Sequence, residues 1–126
     1  MKRILNVLFS LVLLFCSSFH GRAQQSVARQ WNEALLDAVR HDLARPTVHA
    51  RNLFHCAVAM YDAWAAYDTI AKTYLLGKRV GGYLVPFNGI APPADVHAAR
   101  DEAISYAAHR LLRHRFQNSP GATRSL

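Results

Sequence analysis

The chain has 126 residues, with 15 Lys or Arg against 8 Asp or Glu, a formal charge of +7, and 52% hydrophobic residues. That length and balance exclude a multidomain protein, a repeat array and a low-complexity disordered chain, and they leave one small domain with a thin core.

Lys2 and Arg3 form a short positive region, and an apolar run from Ile4 to Phe15 follows. The triplet Gly21-Arg22-Ala23 then places small residues where signal peptidase needs them. Residues 1–23 are expected to be a secretory signal peptide cleaved before Gln24, too short and wrongly flanked for a stable membrane span. Bulky Phe15 argues against acylation of Cys16. Cleavage removes Lys2, Arg3 and Arg22 and no acid, so the charge falls from +7 to +4. The basic pI is then partly a targeting signal, and an exported chain is not expected to bind nucleic acid. Cys56 is left as the sole cysteine, so no internal disulfide framework is expected despite an oxidising destination. The expected location is exported, periplasmic or extracellular, with residues 24–126 as a helical segment.

Ser26 opens the first expected helix, which runs to about residue 44. Trp31, Leu35, Ala38, Val39 and Leu43 recur at three-and-four spacing as one apolar face. Arg29, Gln30, Glu33, Asp37 and Arg40 lie opposite. Asn32 and Asp42 fall on or beside the apolar face, where a polar group needs a partner, and other helices or loop backbones are expected to supply one. Pro46 ends this helix.

Thr47 is the expected N-cap of a second helix over about 48–68. Leu53, Phe54, Ala57, Met60, Tyr61, Trp64 and Ala65 cover more than half of its circumference. Arg51, His55, Ala59, Asp62 and Ala66 fill the remaining strip, and its alanines suggest that a further element packs there. Residues 69–93 lose helical period and are rich in Gly and Pro. An extended loop is expected, with a weak hairpin around Tyr83-Leu84-Val85. Asp95 caps a third helix over about 95–117, with the stripe Val96, Ala99, Ala103, Ile104, Ala107, Leu111 and Leu112. Arg110, Arg113, His114 and Arg115 crowd its last turns, where cations suit the helix dipole. Asn118-Ser119-Pro120-Gly121 stops it. The fold class is therefore all-α: three amphipathic helices and a long loop, in a larger helical bundle.

Arg51, His55 and Asp62 are the strongest chemical candidates. His55 and Asp62 could be two metal ligands or an acid–base pair, but seven residues span roughly 10.5 Å of helix, too far to share one ion comfortably. Arg51 would also repel a cation. The competing expectation is that all three are satisfied by hydrogen bonds among themselves and with neighbouring helices. His41, His49, His97, His109 and His114 share no metal-binding spacing, and surface or helix-terminus roles are expected. Cys56 has no base placed beside it and reads as a small buried hydrophobe. The basic end of the third helix could attract an anion, though a charge run usually marks a solvated face. The sequence holds no G-x-S-x-G, G-x-x-x-x-G-K-[ST], H-E-x-x-H or C-x-x-C.

"WNEALLDAVR" followed by "RPTVHARNLFHCAVAMYDAWAAYD" resembles the N-terminal helices of exported bacterial proteins of the vanadium-dependent haloperoxidase group, which is related to the type-2 phosphatidic acid phosphatases. The residues that carry the likeness are Trp31-Asn32, Pro46-Thr47, Ala50-Arg51, His55 and Ala59-Met60-Tyr61-Asp62-Ala63. It extends more loosely through "YLLGKRVGGYLVPFNG" and "ARDEAISYAAHRLLRHRF". The resemblance implies an all-helical parent several times longer. There, protein-held vanadate would bind peroxide and oxidise a halide, or a related site would hydrolyse a phosphoester. It places the vanadate motifs nearer the C-terminus: a Lys followed by Arg-Pro, a Ser-Gly-His, and an Arg followed by Gly-x-His. Arg45-Pro46 lacks the upstream lysine, "NSPGA" is not Ser-Gly-His, and no Gly-x-His occurs. No catalytic, cofactor-binding or metal residue is carried over, and Arg51, His55 and Asp62 match at scaffold positions. The expectation is thus a catalytically incomplete N-terminal scaffold. This chain itself binds no cofactor; the parent binds vanadate, and the remaining C-terminal part of the same domain is the partner. The rival is a small secreted helical binding module that uses residues 69–93 for recognition. A histidine-based metal binder is third.

Overall fold

A computed structural model describes residues 25–121; the expected signal peptide lies outside them. The architecture is all-α, with one two-stranded hairpin. Helix α1 spans Val27–Arg40, α2 spans Pro46–Ala65 and α3 spans Val96–Phe116.

Ser26 caps α1 by accepting from the Arg29 N–H at 3.3 Å. The helix stops at Arg40, short of the expected residue 44. The His41 N–H turns back to the Asp37 and Ala38 carbonyls, and the Asp42 carboxylate accepts from its neighbour Leu43 N–H at 2.9 Å. That local bond competes with a further helical turn. Leu43, expected on the apolar face, is consequently 87% exposed. Asp42 thus finds its partner on a loop backbone, one of the two expected sources, whereas Asn32 is solvent-exposed and its core-facing reading is corrected.

Helix α2 begins with Pro46 at its first position, not with a Thr47 cap, and Arg45 precedes it in extended backbone. Proline fits there because its fixed φ is helical and its missing N–H would have no partner anyway. The helix ends at Ala65 rather than near 68. The Asp68 carboxylate accepts from the Ile70 and Ala71 N–H groups at 2.9 and 2.8 Å, which turns the chain out of the helix. The Asp95 side chain accepts from His97 and Ala98 at the start of α3, as its position implied.

The chain of neighbours fixes the helix directions. Asp68 pairs with Arg100 at 2.7 Å, while Arg115 reaches His55 at the opposite end, so α2 and α3 run antiparallel. Trp31 stacks at a tilt on His109, and Val27 and Ala28 lie near Ile104, so α1 runs parallel to α3. The core holds Leu35 and Ala38 from α1, Cys56 and Met60 from α2, and Ile104, Ala108, Leu112 and Phe116 from α3. Ala108 and Phe116 were not on the expected stripe, whereas Val96 is exposed. On α2 Cys56 and Met60 enter this core, while Asn52 and Ala65 are also buried and Asp62 is buried beneath the hairpin segment. The expected apolar residues Leu53, Phe54 and Tyr61 remain 40–53% exposed instead, because α1 and α3 together cover too little of its circumference. Past α3 the chain folds back on the end of α1, where a side chain at Gly121 would meet the His41 Cβ at 2.2 Å.

Between α2 and α3 the expected hairpin forms from β1 (Arg79–Val80) and β2 (Tyr83–Leu84), pairing Arg79 with Leu84 and Val80 with Tyr83. Gly81 and Gly82 make the two-residue turn at φ 56° and 88°, values that glycine adopts without cost. No helix among the described residues is long and apolar enough to cross a membrane.

Candidate functional site

A groove of about 720 Å³ opens between α2, α3 and the hairpin segment. Its floor is two antiparallel stripes: His55, Ala59, Asp62 and Ala63 on α2, and Ala107 and Leu111 on α3. Their small side chains let the two backbones approach while leaving a trough. Leu75, Leu76, Val80 and Val85 form the far wall. Of the polar strip's two alanines, Ala59 faces the hairpin segment across this groove, while Ala66 lines a separate cleft with Gly89 and Pro92.

Asp62 is buried, at 5% exposure. Its Oδ1 accepts from the Tyr74 N–H, and its Oδ2 accepts from Leu75 and Leu76 at 2.8 and 3.0 Å. Three consecutive backbone donors aimed at one point make an anion-binding concavity, and here a carboxylate fills it. Asp62 is therefore the anchor of the hairpin segment, which starts from Thr73, whose hydroxyl donates to the Leu76 carbonyl.

His55 lies one turn from Arg51 and seven residues from Asp62. The Arg115 Nη2 donates to its Nδ1 at 2.8 Å, which leaves Nε2 to carry the proton in the neutral ring. Burial, then the Arg115 and Arg51 charges, hold the imidazole below its usual titration range. Exchanging Arg115 for Leu should move the His55 titration upward toward the ordinary value, followed by proton NMR of the ring. An unmoved titration would show that the guanidinium has no hold on the ring. The linkage sign follows. The folded state binds the proton more weakly than the unfolded chain, so this group favours folding above the ordinary imidazole value, and that contribution is lost as pH falls through that range. The ring is only partly buried, so the effect is small.

At the other end, Asp68 is held below the usual carboxylate range by the Ala71 and Ile70 N–H groups and then by Arg100. The Arg100 guanidinium also lies 4.9 Å from the Trp64 ring centroid and donates to the Tyr67 carbonyl. This cluster ties the α2 exit to the α3 entry. Cys56 is fully buried and its thiol is pushed up by burial, which suits a packing role.

The structure thus separates the three sequence candidates. Arg51 is exposed, His55 faces Arg115, and Asp62 is spent on backbone donors. Arg115 had been read only as part of a basic terminus; its place four residues beyond Leu111, on the stripe that faces α2, was the available signal. Among the described residues no three His, Cys, Asp or Glu side chains converge as a metal site. The residues do not fit a vanadate cradle either. The one run of converging backbone donors, which such a cradle would need free, already holds Asp62.

No family model, curated protein or solved structure matches the chain.

Proposed function

We propose that the chain serves as the N-terminal helical scaffold of a protein resembling the vanadium-dependent haloperoxidases, and that its own role is to build walls rather than to ligate vanadate. The observation that carries this reading is α2. It holds the "AMYDAW" stretch of the resemblance, and it leaves Leu53, Phe54 and Tyr61 uncovered by α1 and α3. A helix so apolar on its outer side suits the interior of a larger bundle. The commitment of Asp62 to the hairpin supports a scaffold role for the resembling residues. Export rests on residues 1–23, and the parent reaction, halide oxidation or phosphoester hydrolysis, rests on the resemblance.

The test is an assay of the chain for bromide oxidation with hydrogen peroxide and added vanadate. No turnover is expected, and vanadate-dependent turnover would overturn the scaffold reading. The coding sequence after Leu126, read in all three frames, tests the parent directly. A continuation with the lysine, Ser-Gly-His and Gly-x-His motifs is expected, and its absence from every frame counts against the reading.

The exposed face also sets a solution property. The chain alone should bind the dye ANS through this exposed apolar face. A sharp cooperative melt without dye binding would favour the second reading, a secreted helical binding module. The exposed Tyr83 and Leu84 of the hairpin are the feature in its favour, and a soluble folded species by size exclusion is its signature.

A further inference from the structure

We propose that the groove between α2, α3 and the hairpin binds a single-chain anionic amphiphile, a carboxylate with a saturated tail. The argument rests on the groove alone and stands apart from the family reading. Pockets of 300–1,000 Å³ with mostly apolar walls and few convergent polar groups are the usual form of small-ligand sites. This one is about 720 Å³ and lies within that range.

Its polarity runs in one direction. From Ala63 to His55 the floor follows nine residues of α2, roughly 12 Å of helix rise. Val58, Ala59, Ala107 and Leu111 line that stretch with hydrocarbon. At the His55 end the character changes. Arg115 continues the Ala107–Leu111 stripe of α3 and donates to His55, and Arg51 lies one helical turn before His55 on α2. Among the described residues the ion pairs found are His41 with Asp37 and Arg100 with Asp68, so neither Arg51 nor Arg115 is matched by a carboxylate. The one carboxylate on the groove wall, Asp62, is held by three backbone N–H groups. An apolar trough whose His55 end is flanked by the Arg115 guanidinium, with Arg51 one helical turn away, is complementary to a molecule with a hydrocarbon tail and an anionic head. A cationic or uncharged amphiphile of the same length would meet the tail requirement and fail at the head. Arginine suits the task because its planar fork can donate to both carboxylate oxygens at once.

The test is calorimetric titration of the chain with sodium dodecanoate below its micellar concentration. Dodecyltrimethylammonium and acetate are the comparison titrants. Saturable binding of dodecanoate near one per chain is expected, with neither comparison titrant binding measurably. Arg115→Gln, at an exposed position that should not disturb folding, is expected to weaken dodecanoate binding roughly tenfold. Ala59→Trp fills the floor and is expected to abolish binding while circular dichroism stays helical. Ile70→Glu, on a residue 89% exposed outside the groove, is expected to change nothing. Equal uptake of the cationic amphiphile, unchanged binding in Arg115→Gln, or equal loss in Ile70→Glu would each mean non-specific adsorption and overturn the proposal. Absence of any dodecanoate binding would overturn it as well.

Discussion

Replacing Asp62 with Ala should destabilise the fold by about 2–4 kcal/mol and release the hairpin segment. The reason is the number of donors involved. The carboxylate takes the N–H groups of Tyr74, Leu75 and Leu76, and all three lose their partner at once. Water from the open groove can hydrate some of them, which keeps the loss below the sum of three charge-assisted bonds. Asp62→Asn should recover part of the effect. Its single oxygen can still serve Leu75 and Leu76, but its NH₂ then faces the Tyr74 donor. Urea unfolding gives the stability change, and hydrogen exchange at residues 74–76 gives the local one. A change below about 0.5 kcal/mol in Asp62→Ala, the range of an ordinary surface substitution, would show that the anchor is unimportant.

Phe116→Ala should cost about 3–5 kcal/mol, the range for removing a large aromatic side chain from a packed core. Phe116 is 1% exposed and is the largest fully buried side chain. It packs where α3 closes against α1 and α2, and such a small core has few neighbours able to collapse into the space. A domain of this size typically has 5–15 kcal/mol in total, so the variant should be close to unfolding at room temperature. Leu43→Ala is the contrasting substitution. It removes a residue of similar hydrophobic character from a position 87% exposed and should stay within about 0.5 kcal/mol of the parent chain. Thermal melts of the two variants side by side decide the matter. A Leu43 variant as damaged as the Phe116 variant would mean that α1 continues past Arg40.

These two positions also mark where the sequence could be read and where it could not. The third helix was legible because its signals are local: Asp95 offers its carboxylate to the first turn, and Pro120 and Gly121 forbid continuation. The end of the first helix was not. Leu43 keeps the three-and-four rhythm, but periodicity carries no information about Asp42 capturing the next N–H. Pro46 was legible as punctuation and ambiguous in direction, since proline both ends one helix and suits the first turn of the next. The inward face of α2 was hidden for a different reason. Its apolar residues surround the axis, so hydrophobicity could not choose among its sides; the choice was made by the small residues Cys56 and Ala65, which allow close approach, and by Asp62, whose partners lie twelve to fourteen residues away. The contact between His55 and Arg115 spans sixty residues and depends on the antiparallel packing of two helices. Nothing in either local stretch encodes it.

The parallel course of α1 and α3 and the reversed course of α2 gather Arg40, Arg45, Arg51, Arg113 and Arg115 near one end, where Asp37 and Asp42 offset only part of their charge, while near the other Asp68, Asp95, Asp101 and Glu102 outnumber Arg29, Lys72 and Arg100. The protein is therefore an electrical rod as well as a packed trio. In dilute salt it should turn its arginine-rich tip toward any negatively charged body before contact is made. Raising the ionic strength shortens the reach of that torque to about 8 Å at physiological salt, less than the length of the rod itself.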